Sequence, residues 1–306
     1  MSSETYSHND RRRAKRRLFF WRIVSVILLL ALIGTYMSYT AEEPDVDHVA
    51  RLDINNVIIE DEWRQDTIQG ILEDDTAKAL IVYINSPGGS TYGSERLYKS
   101  LRRVAEKKPV ISVIGTVGAS GGYLTALAGE RIFAGESSIT GSIGVIIQIT
   151  EFSELMDNIG IKGDAITSGK LKGEPSPFKP LSEAGRQNLQ EMVSSTHEWF
   201  VNLVTDRRPL SREEAEKLAN GGIYIGTKAI SNGLIDELGG LYEARRWLES
   251  AHEIPADLPL LTWEYGPPKG LVDELLEGML GKSVISERLT LDGLLSLWHP
   301  SFNIKN

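Results

Sequence analysis

KALIVYINSPGGS (Lys78 to Ser90) and PVISVIGTVGASGGYLTALAG (Pro109 to Gly129) are the two stretches from which the architecture of this chain can be read. Each is a short β-branched run leading straight into a glycine pair, Gly88-Gly89 in the first and Gly121-Gly122 in the second. Apolar runs of this length, bounded by turn residues, predict strands buried on both faces, as in a parallel sheet covered by helices. Between them TYGSERLYKSLRRVAEK carries apolar residues at helical spacing, and the alanine and leucine content of Gly118 to Gly129 predicts a second helix.

Working outward, VARLDINNVII (Val49 to Ile59) is another buried-strand run, separated from Lys78 by a segment compatible with helix, Trp63 to Ala77. Downstream, RIFAG and SIGVIIQI read as further strands. SEAGRQNLQEMVSSTHEWFVNLV (Ser182 to Val204) is a long amphipathic helix with a polar start suited to capping it; LSREEAEKLAN and LYEARRWLESA are two more. The alternation predicts an α/β domain with much parallel sheet, over residues 49–250. Past Pro255 the pattern weakens and glycines interrupt it, so 251–306 reads as a C-terminal appendage.

A chain of 306 residues with 41% hydrophobic content can bury a sizeable core. The formal net charge of -9 argues against a general nucleic-acid binder. With no cysteine, thiol catalysis, disulfides and cysteine-ligated metals are all excluded. Positive charge gathers in RRRAKRR, within a basic tail at 1–17, and is followed by LFFWRIVSVILLLALIGTYMSY (Leu18 to Tyr39), where Arg22 is the only charge. A helix crossing about 30 Å of hydrocarbon needs roughly 20 residues, so 18–39 is expected to be a transmembrane anchor, with Arg22 snorkelling to the headgroups. The basic flank places the rest of the chain outside the cytoplasm. A cleaved signal would need small residues before its cleavage site, and no such pattern surrounds Tyr39-Thr40-Ala41. The acidic stretch 40–48 is expected to be a linker, with His48 part of it.

Two glycine pairs at strand ends suggest close backbone approach to a ligand, because glycine can turn its N–H toward a carbonyl without steric conflict. Singly, each would read as a turn. Gly118-Ala119-Ser120-Gly121-Gly122 also fits G-x-S-x-G, the strand-turn-helix elbow that presents a nucleophilic serine. One completion of that site is an α/β-hydrolase triad, for which Asp236 with His252 or His299 stands in the required order. None of these histidines sits in a recognisable loop after a strand, and His197 falls inside a helix, where packing is its expected role. The other completion is a lysine base, which must be neutral to accept a proton. Lys170, Lys172 and Lys179 lie in ITSGKLKGEPSPFKP, and spacing alone does not choose among them.

INSPGGS, GASGGYLTALAGERIFAGESSITGSIGV, SGKLK and GLIDELGG, in that order, resemble the bacterial signal peptide peptidase A (protease IV) family in its short single-domain form. The likeness spans Val49 to about Trp247. It implies a Clp protease/crotonase-like fold of repeated strand-strand-helix units and a Ser-Lys dyad in place of a triad. By motif, Ser120 corresponds to the nucleophile and Lys172 to the base of Ser-Gly-x-x-Lys. The N–H groups of Gly89 and Gly121 correspond to the oxyanion hole, and Ser142 to a serine that orients the lysine. The segment GEPSPFKPLS after Lys172 is richer in proline than the family pattern. A Clp-type histidine would fall between Ser120 and Lys172, where none occurs.

The resemblance further implies apolar peptide substrates such as remnant signal peptides, a homo-oligomeric ring, no cofactor or metal, and a single-pass location in the bacterial inner membrane with the catalytic domain on the periplasmic side. Two other classes stand beside this one: an esterase using Ser120, Asp236 and a histidine, and a non-catalytic crotonase-like scaffold.

Overall fold

Ala50, Leu52 and Ile54 of β1 (His48–Ile58) and Leu80, Val82 and Ile84 of β2 (Ala77–Ser90) turn to one side of a central sheet and are fully buried there. Val49, Ala79 and Ile81, one residue out of step, turn to the other side and are buried as well. Period-two alternation with both sets apolar explains why these runs read as continuous hydrophobic stretches. The molecule, represented by a computed structural model, is described over residues 4–39, 46–266 and 295–297. It divides into two units, Met1–Val46 and Asp47–Asn306.

The first unit is one helix, α1 (Glu4–Tyr39). It starts at Glu4 and so takes in nearly all of the stretch 1–17 expected to be a separate basic tail, because no proline or glycine there breaks a helix. Leu18, Phe20, Trp21, Leu28 and Leu30 on it are exposed. Among the described residues no helix is long and apolar enough to cross a membrane, so the span expected at 18–39 is not shown.

In the second unit α2 (Glu62–Glu73), α3 (Thr91–Ala105), β3 (Val110–Ala119), α4 (Gly121–Ala126), β4 (Arg131–Ala134) and β5 (Ile139–Gly141) follow β1 and β2 in turn. Then come α5 (Ser153–Asn158), α6 (Glu183–Arg207), α7 (Arg212–Leu218), β6 (Ile223–Ile225), α8 (Gly226–Ser231), β7 (Glu237–Leu238), α9 (Leu241–His252), β8 (Leu260–Thr262) and β9 (Leu295–Leu297). The main sheet runs β6-β5-β3-β2-β1-β8, with β4 bridging β3 and β7 and β9 on β2. Pairing is parallel throughout except for β5 with β6 and β2 with β9. The expected α/β architecture with a largely parallel sheet is what forms. Ser182, Ser211 and Ser90 accept from the amides of Gly185, Glu214 and Gly93, capping α6, α7 and α3.

Several expectations are corrected. β2 does not end before SPGGS but continues through it to Ser90, because Gly88 and Gly89 pair with Val57 and Ile58. A β-carbon on Gly89 would lie 1.8 Å from the Ile58 carbonyl oxygen, so only glycine permits that approach. His48 is no linker residue: it opens β1, is buried, and stacks on Trp263. The domain also extends past residue 250. β8 adds to the free edge of β1, Trp263 donates its amide to the Arg51 carbonyl (2.8 Å), and the Tyr265 hydroxyl donates to that of Asp53 (3.0 Å). SIGVIIQI forms no strand beyond a bridge at Ile146, since no neighbouring strand offers a ladder there.

Candidate active site

β3 delivers Ser120. Its last residues pair with β5, Gly118 opposite Thr140 and Ala119 opposite Gly141, and the Ser120 amide then donates to the Gly141 carbonyl at 2.8 Å. Ser120 is buried and has φ 55°, ψ −117°, left-handed backbone that a side chain adopts at a cost of about 1–3 kcal/mol. The strain is located where G-x-S-x-G predicts it, at the junction between β3 and the six-residue α4. Surrounding structure fixes α4: the Tyr123 hydroxyl donates to the Leu234 carbonyl (2.8 Å), and Arg207 and Arg102 donate to the carbonyls of Leu127, Gly129 and Ala128. Burial pushes the Tyr123 phenol up, so it stays a donor.

Gly89 and Gly121 come together. A β-carbon on Gly121 would lie 3.1 Å from the Gly89 nitrogen, 3.3 Å from Gly88 Cα and 2.3 Å from Ser94 Oγ. One on Gly122 would meet the Ser86 carbonyl oxygen at 2.5 Å. The two glycine pairs therefore meet at the end of β2, where Gly89, Gly121 and Gly122 leave no room for a β-carbon and Gly88 has φ 116°, a conformation that favours glycine. Backbone without side chains beside a serine leaves room for a substrate carbonyl to approach closely.

Ser142 stands next to Gly141, the partner of Ser120. Its own backbone is left-handed (φ 51°), and its amide donates to the Gly222 carbonyl at 2.7 Å. Four of the five expected site residues thus gather around one strand end. Lys172 is the exception. It is exposed, in a turn where its amide donates to the Gly169 carbonyl (3.1 Å). Lys170 is exposed too, while Lys179 pairs with Glu174 at 3.1 Å.

The triad reading loses its acid. Asp236 takes both Arg208 guanidinium nitrogens, at 2.8 and 2.9 Å, and also the Ile132 amide at 2.8 Å. His252 contacts Glu130 (3.0 Å) and Trp247, not Asp236. His299 lies outside the described residues. His197 ties α6 to the end of α7 through the Ala219 carbonyl at 2.7 Å, the packing role expected of it. Sequence reasoning missed Ser94, whose buried hydroxyl has no hydrogen-bond partner among the described residues and abuts Gly121. Its helical spacing made it look like part of an ordinary helix face.

Comparison with known proteins gives the class. The model of peptidase family S49 matches residues 102–254, half of the chain, including Ser120, Ser142 and Lys172. A protein of Methanocaldococcus jannaschii named as a protease is 31% identical over 256 residues, 76% of this chain and 82% of its own. One from Enterococcus faecium, named as a signal peptide peptidase SppA, is 36% identical over 173 residues, 56% of this chain and 50% of its own. The chloroplastic serine protease SPPA of Arabidopsis thaliana is 34% identical over 236 residues, 74% of this chain and 34% of its own. The chain thus spans most of the first relative, half of the second and a third of the third. Among solved structures, a ClpP1 mutant from Listeria monocytogenes aligns over 62% of this chain and 91% of its own, at 16% identity and a TM-score of 0.43. The α/β fold and these relatives define a peptidase. The chain belongs to peptidase family S49, with relatives of the SppA and protease 4 type.

Proposed function

We propose that this chain is a Ser-Lys endopeptidase that cleaves apolar peptides, remnant signal peptides in particular, through an acyl-enzyme. The observation that carries the reading is the strained, buried Ser120 beside Gly121, whose α-carbon lies against the Gly89 nitrogen. In this mechanism Lys172, in its neutral form, accepts the Ser120 proton as Oγ attacks the peptide carbonyl. The glycine amides hold the resulting oxyanion, the amine leaves with that proton, and water releases the acyl group. In the same mechanism Ser142, one residue beyond the Ser120 partner, orients the lysine.

Lys172 is exposed in the single chain, so the reading requires it to reach a Ser120 pocket in an assembly. Its segment supports this: Ile146, Phe152, Leu155, Ile161 and Ile166 are exposed apolar side chains that a ring of copies would bury. We further propose that α1 anchors the protein at the bacterial inner membrane with the catalytic unit outside. Its exposed apolar row and the basic run before it support that placement. Holding the site beside the bilayer raises the effective concentration of membrane-bound peptides. A fold of repeated strand-strand-helix units of the Clp/crotonase kind accords with the family.

The test is hydrolysis of a leucine peptide ester, together with fluorophosphonate labelling, by the full chain and its Ser120→Ala form. The parent is expected to label and turn over, and the variant to do neither. A parent that does not label would leave the scaffold reading, and a Ser120→Ala form that still turns over would place the nucleophile elsewhere.

A further inference from the structure

Ser86 stands where the ladder carrying β2 to the candidate active site is interrupted. On the β1 side Asn55 pairs with Asn85 and Val57 with Gly88, so Ser86 and Pro87 together face Asn56 alone. Two residues opposite one make a bulge, which bends the strand and disrupts its main-chain pairing. Asn56 takes up the bend with left-handed backbone (φ 62°), and Pro87 has no N–H to offer a neighbour. A side chain bridges the gap. The Ser86 hydroxyl is fully buried; it accepts from the Gly88 amide at 3.1 Å and donates to the Gly88 carbonyl at 3.3 Å. One hydroxyl therefore holds both ends of Gly88, the residue whose own lack of a side chain gives its backbone the most freedom to turn.

The Gly88 carbonyl and the Gly89 amide belong to one peptide group. That group is planar and trans, so its N–H points opposite to its C=O. Turning the Gly88 carbonyl toward Ser86 turns the Gly89 N–H away from it, while the Gly88 N–H is already committed to the same hydroxyl. We propose that Ser86 is a positioning residue, whose hydroxyl orients the Gly88–Gly89 peptide so that the Gly89 amide, and not that of Gly88, serves as oxyanion donor. The proposal rests on the protease reading above. The Gly121 amide needs no such side chain, because the carbonyl of its own peptide group, that of Ser120, accepts from the Leu124 amide at 2.9 Å. The other buried hydroxyls nearby act elsewhere: Thr125 donates to the Gly121 carbonyl (2.9 Å) and Thr140 to that of Gly118 (2.7 Å), and neither peptide group contains the Gly89 or Gly121 amide. An ordinary serine turn would hold the chain without affecting the chemical step. Donors aimed in advance at developing charge affect that step directly.

The experiment uses the full chain and its Ser86→Ala form, compared by steady-state kinetics on a leucine peptide ester and by thermal melting. An interaction made only in the transition state lowers kcat when it is lost and leaves KM alone. Ser86→Ala is expected to fold, to keep the parental KM, and to lose about tenfold or more in kcat, short of the 10²–10³ typical of a donor removed outright. Parental kcat, or a loss that appears in KM instead, overturns the assignment. Should the alanine form not fold, Ser86→Thr and Ser86→Val decide: the two side chains match in shape and differ in the hydroxyl. A kcat about tenfold higher for threonine supports the positioning role, and equal values overturn it. A parent that neither turns over nor labels with a fluorophosphonate removes the protease reading itself, and with it the role of Ser86.

Discussion

The amide nitrogen of Gly89 lies 3.1 Å from where a β-carbon on Gly121 would stand. Two chain segments more than thirty residues apart thus bring their glycine backbones into contact at the serine. Replacing Gly121 by alanine intrudes on this contact. Ser94 Oγ, which has no hydrogen-bond partner among the described residues, can rotate away, so the fold is expected to survive. The Gly89 amide cannot keep its aim. Gly121→Ala should lower kcat by about 10²–10³, the usual effect of losing one oxyanion donor, and steady-state kinetics with a peptide ester measures it. Parental kcat in the variant would refute the oxyanion assignment.

Lys172→Arg separates a proton acceptor from a mere positive charge, since a guanidinium is effectively never deprotonated. Turnover should be abolished, while Lys170→Arg stays near the parental rate. The opposite pattern would shift the base to Lys170.

Arg208 and Asp236 form a bidentate pair, with the Arg208 side chain buried. Removing one partner of such a pair costs about 3–5 kcal/mol. Asp236→Ala should therefore lower the melting temperature markedly while leaving activity per folded molecule intact at low temperature. His252→Ala should leave both nearly unchanged. Loss of turnover in either variant, with the fold retained, would revive the triad reading.

Acid stability should depend on Asp74. Burial raises its carboxyl, but bonds from the Thr76 hydroxyl (2.7 Å) and amide (2.8 Å), with the His48 and Lys108 charges, outweigh this and hold it below its usual range. A depressed carboxylate stabilises the fold above its unfolded value, about 3.9, and that contribution disappears as pH falls through the lower, folded value. Denaturant melts of parent and Asp74→Asn should differ at pH 6 and converge toward pH 3. A constant difference would mean that Asp74 ionisation is not coupled to folding.

How much could be read in advance varied with how local the governing physics was. β1, β2 and β3 were legible because burial on both faces leaves an unbroken apolar run, and α6 and α7 because Ser182 and Ser211 cap them from within a few residues. Ser120 was legible because a strained elbow needs small neighbours on either side. SPGGS misled: glycines that usually mark a turn here extend β2, since the Ile58 carbonyl approaches too closely for any side chain. His48 and β8 were missed for a related reason, as each is held by a partner distant in sequence, His48 by Trp263 and Leu260–Thr262 by the open edge of β1.

By itself, then, the sequence determined the α/β alternation, the strained serine elbow and the glycines required beside it, because strand burial, helix capping and backbone strain each act over a few neighbouring residues. Only the tertiary structure decided that Gly89 meets Gly121, that Asp236 belongs to Arg208, that Lys172 stands exposed in the single chain, and that Leu295–Leu297 lies along β2. Those relationships depend on which strand edges remain unpaired and which charges find partners, and such contacts between distant segments exist only once the sheet has closed around them.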